Sequence, residues 1–151
     1  MAKTFRISTA RRLEGRLMNL FIRRGLAPPT MHVLSVRGRK TGLIRSNPID
    51  HVLLGDDMWL VAPYREVQWV RNARAAGQVA LSRGGRSESV RIVEASPAET
   101  APVLRASIAR DKYPRPYIDV GPDSPVEAFI AEAPRHPVFR VLSQAGSAAV
   151  E

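Results

Sequence analysis

Residues Leu34 to Pro48 oblige the chain to reverse on itself, and the two runs they join set the kind of fold available. Leu34-Ser35-Val36 and Leu43-Ile44 flank Arg37-Gly38-Arg39-Lys40-Thr41-Gly42, so two β-prone runs meet across a short segment holding two glycines and three cations. That is a hairpin with a charged tip. Gly38 and Gly42 supply the left-handed backbone that a tight loop needs, and they leave backbone N–H groups open to close approach. Arg37, Arg39 and Lys40 around such donors suit a phosphate held by charge-assisted, partly bidentate hydrogen bonds. A solvated hairpin end and a basic surface for nucleic acid have the same composition, and both stay open at this point. The spacing is neither that of a P-loop nor that of the Gly-x-Gly-x-x-Gly dinucleotide fingerprint.

Further runs extend the sheet. Met31 to Val36, Leu43 to Leu54, Met58 to Ala62, Val79 to Ser82, Ser87 to Val93 and His136 to Leu142 read as strands, with Gly55-Asp56-Asp57 and Gly84-Gly85 as turns. Pro48 cannot donate to a ladder, so it belongs at an edge or a bulge, where freed backbone groups would meet a flat heterocycle. Arg83 and Arg86 are assigned to a solvated hairpin end. A helix closed by Gly77 is expected over Val67 to Ala76, with Trp69, Asn72, Ala73 and Ala76 on one side. Ser96-Pro-Ala-Glu99 and Ser124-Pro-Val-Glu127 read as capping boxes with proline at the first helical position, the second helix ending before Pro134. Pro102 conflicts with an unbroken first helix of that pair. Between them, Tyr113-Pro-Arg-Pro-Tyr117 and the residues to Gly121 suit either a lid over an apolar pocket or a cover for the core.

The chain's start is a further helix, capped by Ser8 or Thr9 and running toward Gly25. Leu13, Leu17, Leu20 and Phe21 form an apolar stripe expected to dock on the core. Arg12, Arg16 and Arg23 share an adjacent face, facing solvent, an acidic cofactor tail or an anionic lipid surface.

The chain has 151 residues, with Lys and Arg exceeding Asp and Glu to give a formal charge of +9, which calls for an anionic partner. Nucleic acid, an acidic membrane surface and a polyanionic cofactor all satisfy that. Without cysteine, disulfides, thiolate nucleophiles and Cys-ligated metals are excluded, which is compatible with the cytosol. No apolar run approaches the roughly 20 residues of a membrane span, and the Arg-rich start lacks the apolar core of a signal peptide. A cytoplasmic protein is expected, with membrane association left open through the first helix. His32, His51 and His136 lack second ligands at metal spacing, so no metal is expected. No Gly-x-Ser-x-Gly elbow is present, and apart from Asp56-Asp57 the carboxylates are scattered. A chain this short of acid, base and nucleophile suits a cofactor that carries the chemistry itself.

Arg37-Gly-Arg-Lys-Thr-Gly42, followed by Arg45 and Pro48, then Val61-Ala-Pro63 and Trp69-Val-Arg-Asn72, resembles the deazaflavin-dependent nitroreductase and quinone reductase family. The likeness runs from about Arg16 to Leu142, and Gly38 to Gly42 is its most specific part. The chain departs from the better-known branch in the connection Tyr64 to Gln68, where that branch has a longer, Gly-rich segment with a His-Pro. The resemblance implies an α+β fold, mainly β with helices: a split β-barrel of the pyridoxamine-phosphate-oxidase type that binds coenzyme F-420. It also implies an oxidoreductase passing a hydride from reduced deazaflavin to a quinone, nitroaromatic or similar small-molecule acceptor. Residues 1–30 would form the basic helix and connector, 31–142 the barrel, and 143–151 a flexible tail. Arg37, Arg39, Lys40, Thr41 and Gly42 would hold the cofactor's phosphate. Pro48, Ile49, Pro63, Trp69 and Asn72 would meet the deazaflavin ring, and Tyr113 and Tyr117 would line the acceptor pocket and donate a proton. Flavin mononucleotide in the same barrel and a basic nucleic-acid-binding module are the alternatives. Against the latter, the few aromatics are not interleaved with the cations. Monomer and homodimer both stay open.

Overall fold

The strands carry apolar side chains on both of their faces, so the closed sheet is covered inside and out. The computed structural model describes residues 9–62, 67–110 and 118–142. Strands β1 (Met31–Arg37), β2 (Ile44–Leu54), β3 (Asp57–Val61), β4 (Gln78–Arg83), β5 (Arg86–Glu94) and β6 (Val138–Leu142) form a closed antiparallel barrel in the order β1-β2-β3-β6-β5-β4. Among the described residues four α-helices surround it: α1 (Thr9–Arg23), α2 (Gln68–Ala76), α3 (Pro97–Arg110) and α4 (Val126–Glu132). The closing strand is β6, paired with β3 through Trp59↔Arg140 and with β5 through Val93↔Arg140. Gly84 and Gly85, both at positive φ, make the tight turn between β4 and β5.

Two apolar layers result, one on each face of the barrel wall. Leu34, Val36, Ile49, Leu60, Val79, Leu81, Val90 and Phe139 cluster together, and Val70 and Ala73 of α2 join them as a plug. Val52, Trp59, Val61 and Val138 point the other way and pack under Leu104 and Ile108 of α3, Ile118, and Phe129 of α4. Ser96 and Glu99 form the expected capping box: Glu99 N–H donates to Ser96 Oγ at 3.3 Å, and Ser96 N–H to Glu99 Oε1 at 3.0 Å.

Several expectations change. Helix α3 runs through Pro102 without a break. The ring removes the donor to a single i−4 carbonyl near the start of the helix, and Val103 and Leu104 are fully buried beside it. The second capping box does not form. Ser124 Oγ accepts from Gly121 N–H at 3.0 Å instead, and Pro125, not Ser124, is the N-cap of α4. Arg83 is not part of a solvated hairpin end: its guanidinium donates to the carbonyls of Ala27, Pro28 and Met31, stapling the connector after α1 to β4. Pro48 lies in the ladder opposite Val33, with no bulge. Its missing donor costs nothing there, because β3 pairs with β2 only from His51 onward. Since His51 N–H points toward Thr30, alternation turns the nitrogen of Pro48 to that unpaired side. The largest departure is α1, whose stripe of Leu13, Leu17, Leu20 and Phe21 is exposed and not docked on the core.

The fold also joins groups that are distant in sequence. His136 Nε2 lies 2.8 Å from Glu132 Oε1, both buried, and Asp119 N–H donates to the same carboxylate at 3.2 Å. Burial pushes the Glu132 carboxyl up, but the bonds from His136 and Asp119 outweigh it and hold the group below its ordinary value. His32 and His51 meet with their Nδ1 atoms 3.2 Å apart. Burial lowers both imidazoles below the ordinary value of 6.5, and for His51 the neighbouring His32 adds to this. Lowered imidazoles stay neutral in the fold while the unfolded chain takes up protons. Their contribution to stability is therefore complete above pH 6.5 and is lost as pH falls through the lower folded values. Chemical denaturation at a series of pH values should show stability falling below pH 6.5, and His51→Asn should flatten that slope. An unchanged slope would mean the pair does not control it.

Candidate functional site

The loop from Gly38 to Gly42 is built by its own backbone. Gly38 N–H donates to Leu43 O at 2.7 Å, Gly42 N–H to Gly38 O at 2.9 Å, and Leu43 N–H to Thr41 Oγ1 at 3.2 Å. Gly42 sits at φ +72, where a side chain is strained. A Cβ on Gly38 would come within 2.8 Å of Thr41 Oγ1 and 3.2 Å of Leu43 O, so that glycine is required by close approach. Arg39 N–H donates to Asn72 Oδ1 at 3.1 Å. The backbone donors of Gly38, Arg39, Gly42 and Leu43 are thus engaged within the protein, so an anion here meets the N–H groups of Lys40 and Thr41 together with the side chains.

Those side chains are available in a defined arrangement. Lys40, Thr41 and Arg45 are exposed, and Thr41 keeps its hydroxyl hydrogen to donate. Arg37 is exposed, with Nη1 donating to Gly42 O at 3.0 Å. Arg39 is tied to α2: its Nη1 donates to Asn72 Oδ1 at 2.9 Å and to Gln68 Oε1 at 3.0 Å, leaving the rest of the guanidinium fork for a ligand. No carboxylate joins Lys40 or Arg45 among the described ion pairs. A set of cations plus one hydroxyl fits a phosphate, and the excess positive charge fits the acidic tail of coenzyme F-420.

The sequence-derived candidates divide under this geometry. Arg37, Arg39, Lys40, Thr41 and Gly42 form one loop, and Asn72 joins it from below. Asn72, expected at the ring, is buried with its carbonyl oxygen engaged by Arg39. It positions the loop. Trp69 is partly buried beside the barrel cluster, its ring 6.0 Å from that of Phe139. Ile49 points into the barrel, while Pro48 is partly exposed on the opposite face of β2. Pro63, Tyr113 and Tyr117 lie outside the described residues. Gln68 was missed, although an amide pair spaced i, i+4 with Asn72 is a readable signal for two contacts on one target. A cavity of about 740 Å³ opens at the far end of the barrel, lined among others by His32, Met58, Arg83, Glu88 and Val141. It shares no residue with the loop and does not define the cofactor site. Among the described residues no group of three or more His, Cys, Asp and Glu side chains is placed to hold a metal.

A split barrel bearing a cationic, helix-clamped loop defines a protein of the class that holds an anionic, flavin-like cofactor. The chain belongs to the F-420H(2)-dependent quinone reductase family, whose model matches residues 5–121. It is an oxidoreductase, and its cofactor is coenzyme F-420. Solved structures share the fold at low identity. An F-420-H2 dependent reductase superposes with a TM-score of 0.52 at 18% identity, covering 76% of this chain and 95% of that one. A protein described as a domain-swapped dimer gives 0.54 at 17% identity, covering 88% and 96%. An Agrobacterium tumefaciens protein of unknown function gives 0.57 at 12% identity, covering 77% of this chain and 49% of that one. Comparison with curated proteins gives no match.

The clamp is open to direct test. Asn72→Ala removes the acceptor shared by the Arg39 N–H and guanidinium, which should cost roughly 1–3 kcal/mol of stability. It should also weaken F-420 binding severalfold in a fluorescence titration, because Arg39 must then be ordered on binding. Full affinity in a folded Asn72→Ala variant would detach α2 from cofactor binding.

Proposed function

We propose that the chain reduces a quinone, a nitroaromatic compound or a similar flat acceptor with reduced coenzyme F-420, anchoring the cofactor's phosphate on the loop 37–42. The observation that carries this is the clamped loop, cationic on its surface and held in shape by its own backbone bonds. Family membership supports the reductase chemistry and removes the ground for the flavin mononucleotide alternative.

In this reading each residue does one job. Lys40 and Arg45 bring charge to the phosphate, Arg39 presents its fork from the clamp, and Thr41 donates its hydroxyl. Arg37 closes the loop and adds to its field. Pro48, Pro63 and Trp69 flank the ring. Bound F-420, when reduced, supplies a hydride. Negative charge then develops on acceptor oxygens, and Tyr113 and Tyr117 are the side chains that would stabilise it and deliver a proton. A quinone with a lipid-soluble tail is met at a membrane, and the cationic first helix is the surface that would meet it.

Two substitutions separate anchoring from turnover. Lys40→Ala should lower F-420 affinity about tenfold, equivalent to about 1.4 kcal/mol, with folding unchanged because the side chain is exposed. Tyr113→Phe or Tyr117→Phe should instead lower turnover of a model quinone roughly tenfold at saturating reduced cofactor, with affinity unchanged. If Lys40→Ala binds as tightly as the parent, the loop does not hold the phosphate. If the double tyrosine variant turns over at full rate, protons come from water.

A further inference from the structure

The barrel is plugged at one end only. Val70 and Ala73 of α2 close the end that carries the cationic loop, while the opposite end opens into the cavity of about 740 Å³. The floor of that cavity is apolar: Leu81 and Val90 are buried, Met58 and Val141 are partly buried, and all four pack with the inner cluster. Its rim is charged. Because Leu81 and Val90 face inward, the two-residue repeat of a strand turns Arg83, Arg86 and Glu88 to the same inner side, and all three line the mouth. Asp56 lines it from the β2–β3 turn, which the strand order sets across the mouth from the β4–β5 turn.

Two of these rim side chains oppose each other. Arg83 and Arg86 are direct cross-strand partners on one face, a placement of like charges that destabilises a hairpin. The hairpin is nevertheless fixed, because Gly84 N–H and Gly85 N–H donate to the carbonyls of Ile22 and Arg23 at 3.1 and 3.0 Å. Arg83 is fixed as well: Nη1 donates to Pro28 O and Met31 O, and Nη2 to Ala27 O. Those bonds occupy three of its five donors and leave Nε–H and one hydrogen of Nη2. Arg74 holds the Glu94 carboxylate by the same pair of nitrogens, at 2.7 and 2.8 Å. Arg86 is exposed, and among the described residues no ion pair joins it to Glu88 or Asp56.

We propose that the open mouth of the barrel binds a small carboxylic acid with an apolar body, its carboxylate bridging Arg83 and Arg86 and its body lying on Met58, Leu81, Val90 and Val141. Barrel mouths are a recurrent place for small-molecule sites, and the volume falls in their range. An anion between the two guanidinium groups turns their repulsion into charge-assisted hydrogen bonds. The apolar floor selects an organic ion over inorganic phosphate, since covering it removes apolar surface from water. Glu88 stands two residues from Arg86 on the same face, so its charge works against the ligand's carboxylate. The mouth shares no residue with the loop 37–42, so this binding does not rest on the reductase reading.

The test follows the methyl NMR signals of the four methionines in the full chain during titration with 2-naphthoate and with its neutral amide, 2-naphthamide. Met58→Leu assigns the signal at the mouth. That signal is expected to shift saturably, with naphthoate binding at least about tenfold more tightly than the amide and the difference shrinking as salt is raised. Arg86→Gln should weaken naphthoate binding about tenfold and leave the amide unchanged. Glu88→Gln should strengthen naphthoate binding severalfold, a gain that damage to the fold does not produce. No saturable shift of Met58, equal affinity for acid and amide, or unchanged naphthoate affinity in the two variants would overturn the proposal. So would a shift of Met18 with Met58 silent, since naphthoate would then lie on the exposed side of α1. Displacement of naphthoate by coenzyme F-420 would also overturn it, because the cofactor itself would then occupy the mouth.

Discussion

The hydrogen bonds from Arg39 to Asn72 tie the cationic loop, proposed to hold the cofactor, to the helix that plugs the barrel, and the proposed site depends on that tie. Helix α2 is fixed by Val70 and Ala73, both fully buried against the barrel cluster. Asn72 sits between them in sequence, is itself buried, and directs its carbonyl oxygen upward to the loop. The position of Arg39 is therefore inherited from apolar packing. A cation placed in this way loses little side-chain entropy when an anion arrives, which is the physical meaning of preorganisation. Lys40 and Arg45, by contrast, are free to adapt, so the loop combines one fixed fork with mobile charges.

The same economy leaves the N–H groups of Lys40 and Thr41 as the backbone donors of the loop open to an anion. A loop in which Gly38, Arg39, Gly42 and Leu43 already donate internally holds its shape without a ligand. Specificity then falls to side-chain charge, consistent with a chain whose formal charge is +9. The other end of the molecule has its own tie: Glu132 joins His136, Arg135 and the backbone of Asp119, which fixes the start of the described segment 118–142 next to the outer apolar layer.

How much of this was legible in the sequence depended on whether the deciding interaction was local. The strands, the Gly84-Gly85 turn, the Ser96 and Glu99 box and the left-handed end of α2 at Gly77 all follow from neighbours within a few residues, and all were readable. The side of α1 that docks was not. Periodicity shows that Leu13, Leu17, Leu20 and Phe21 share a face, but the side that meets the barrel is set by contacts with Ser46 and the β4–β5 turn. Arg83 was misread for the same reason, since its carbonyl partner Pro28 lies 55 residues away, and the bond from Arg39 to Asn72, 33 residues away, was equally hidden. Ser124 failed as a cap because Gly121 offered its hydroxyl a competing donor. Pro48 was half legible; proline demanded an unpaired side, and the late start of β2–β3 pairing provided one without a bulge.

The central claim is that the clamped loop recognises the cofactor through its phosphate. The most direct measurement is a fluorescence titration comparing intact coenzyme F-420 with the same deazaflavin lacking the phosphodiester and its tail. Charge-assisted bonds to a phosphate predict that the truncated compound binds at least about tenfold more weakly, with the difference shrinking as salt is raised. Equal affinity for the two compounds at low salt would contradict the account and move recognition to the ring.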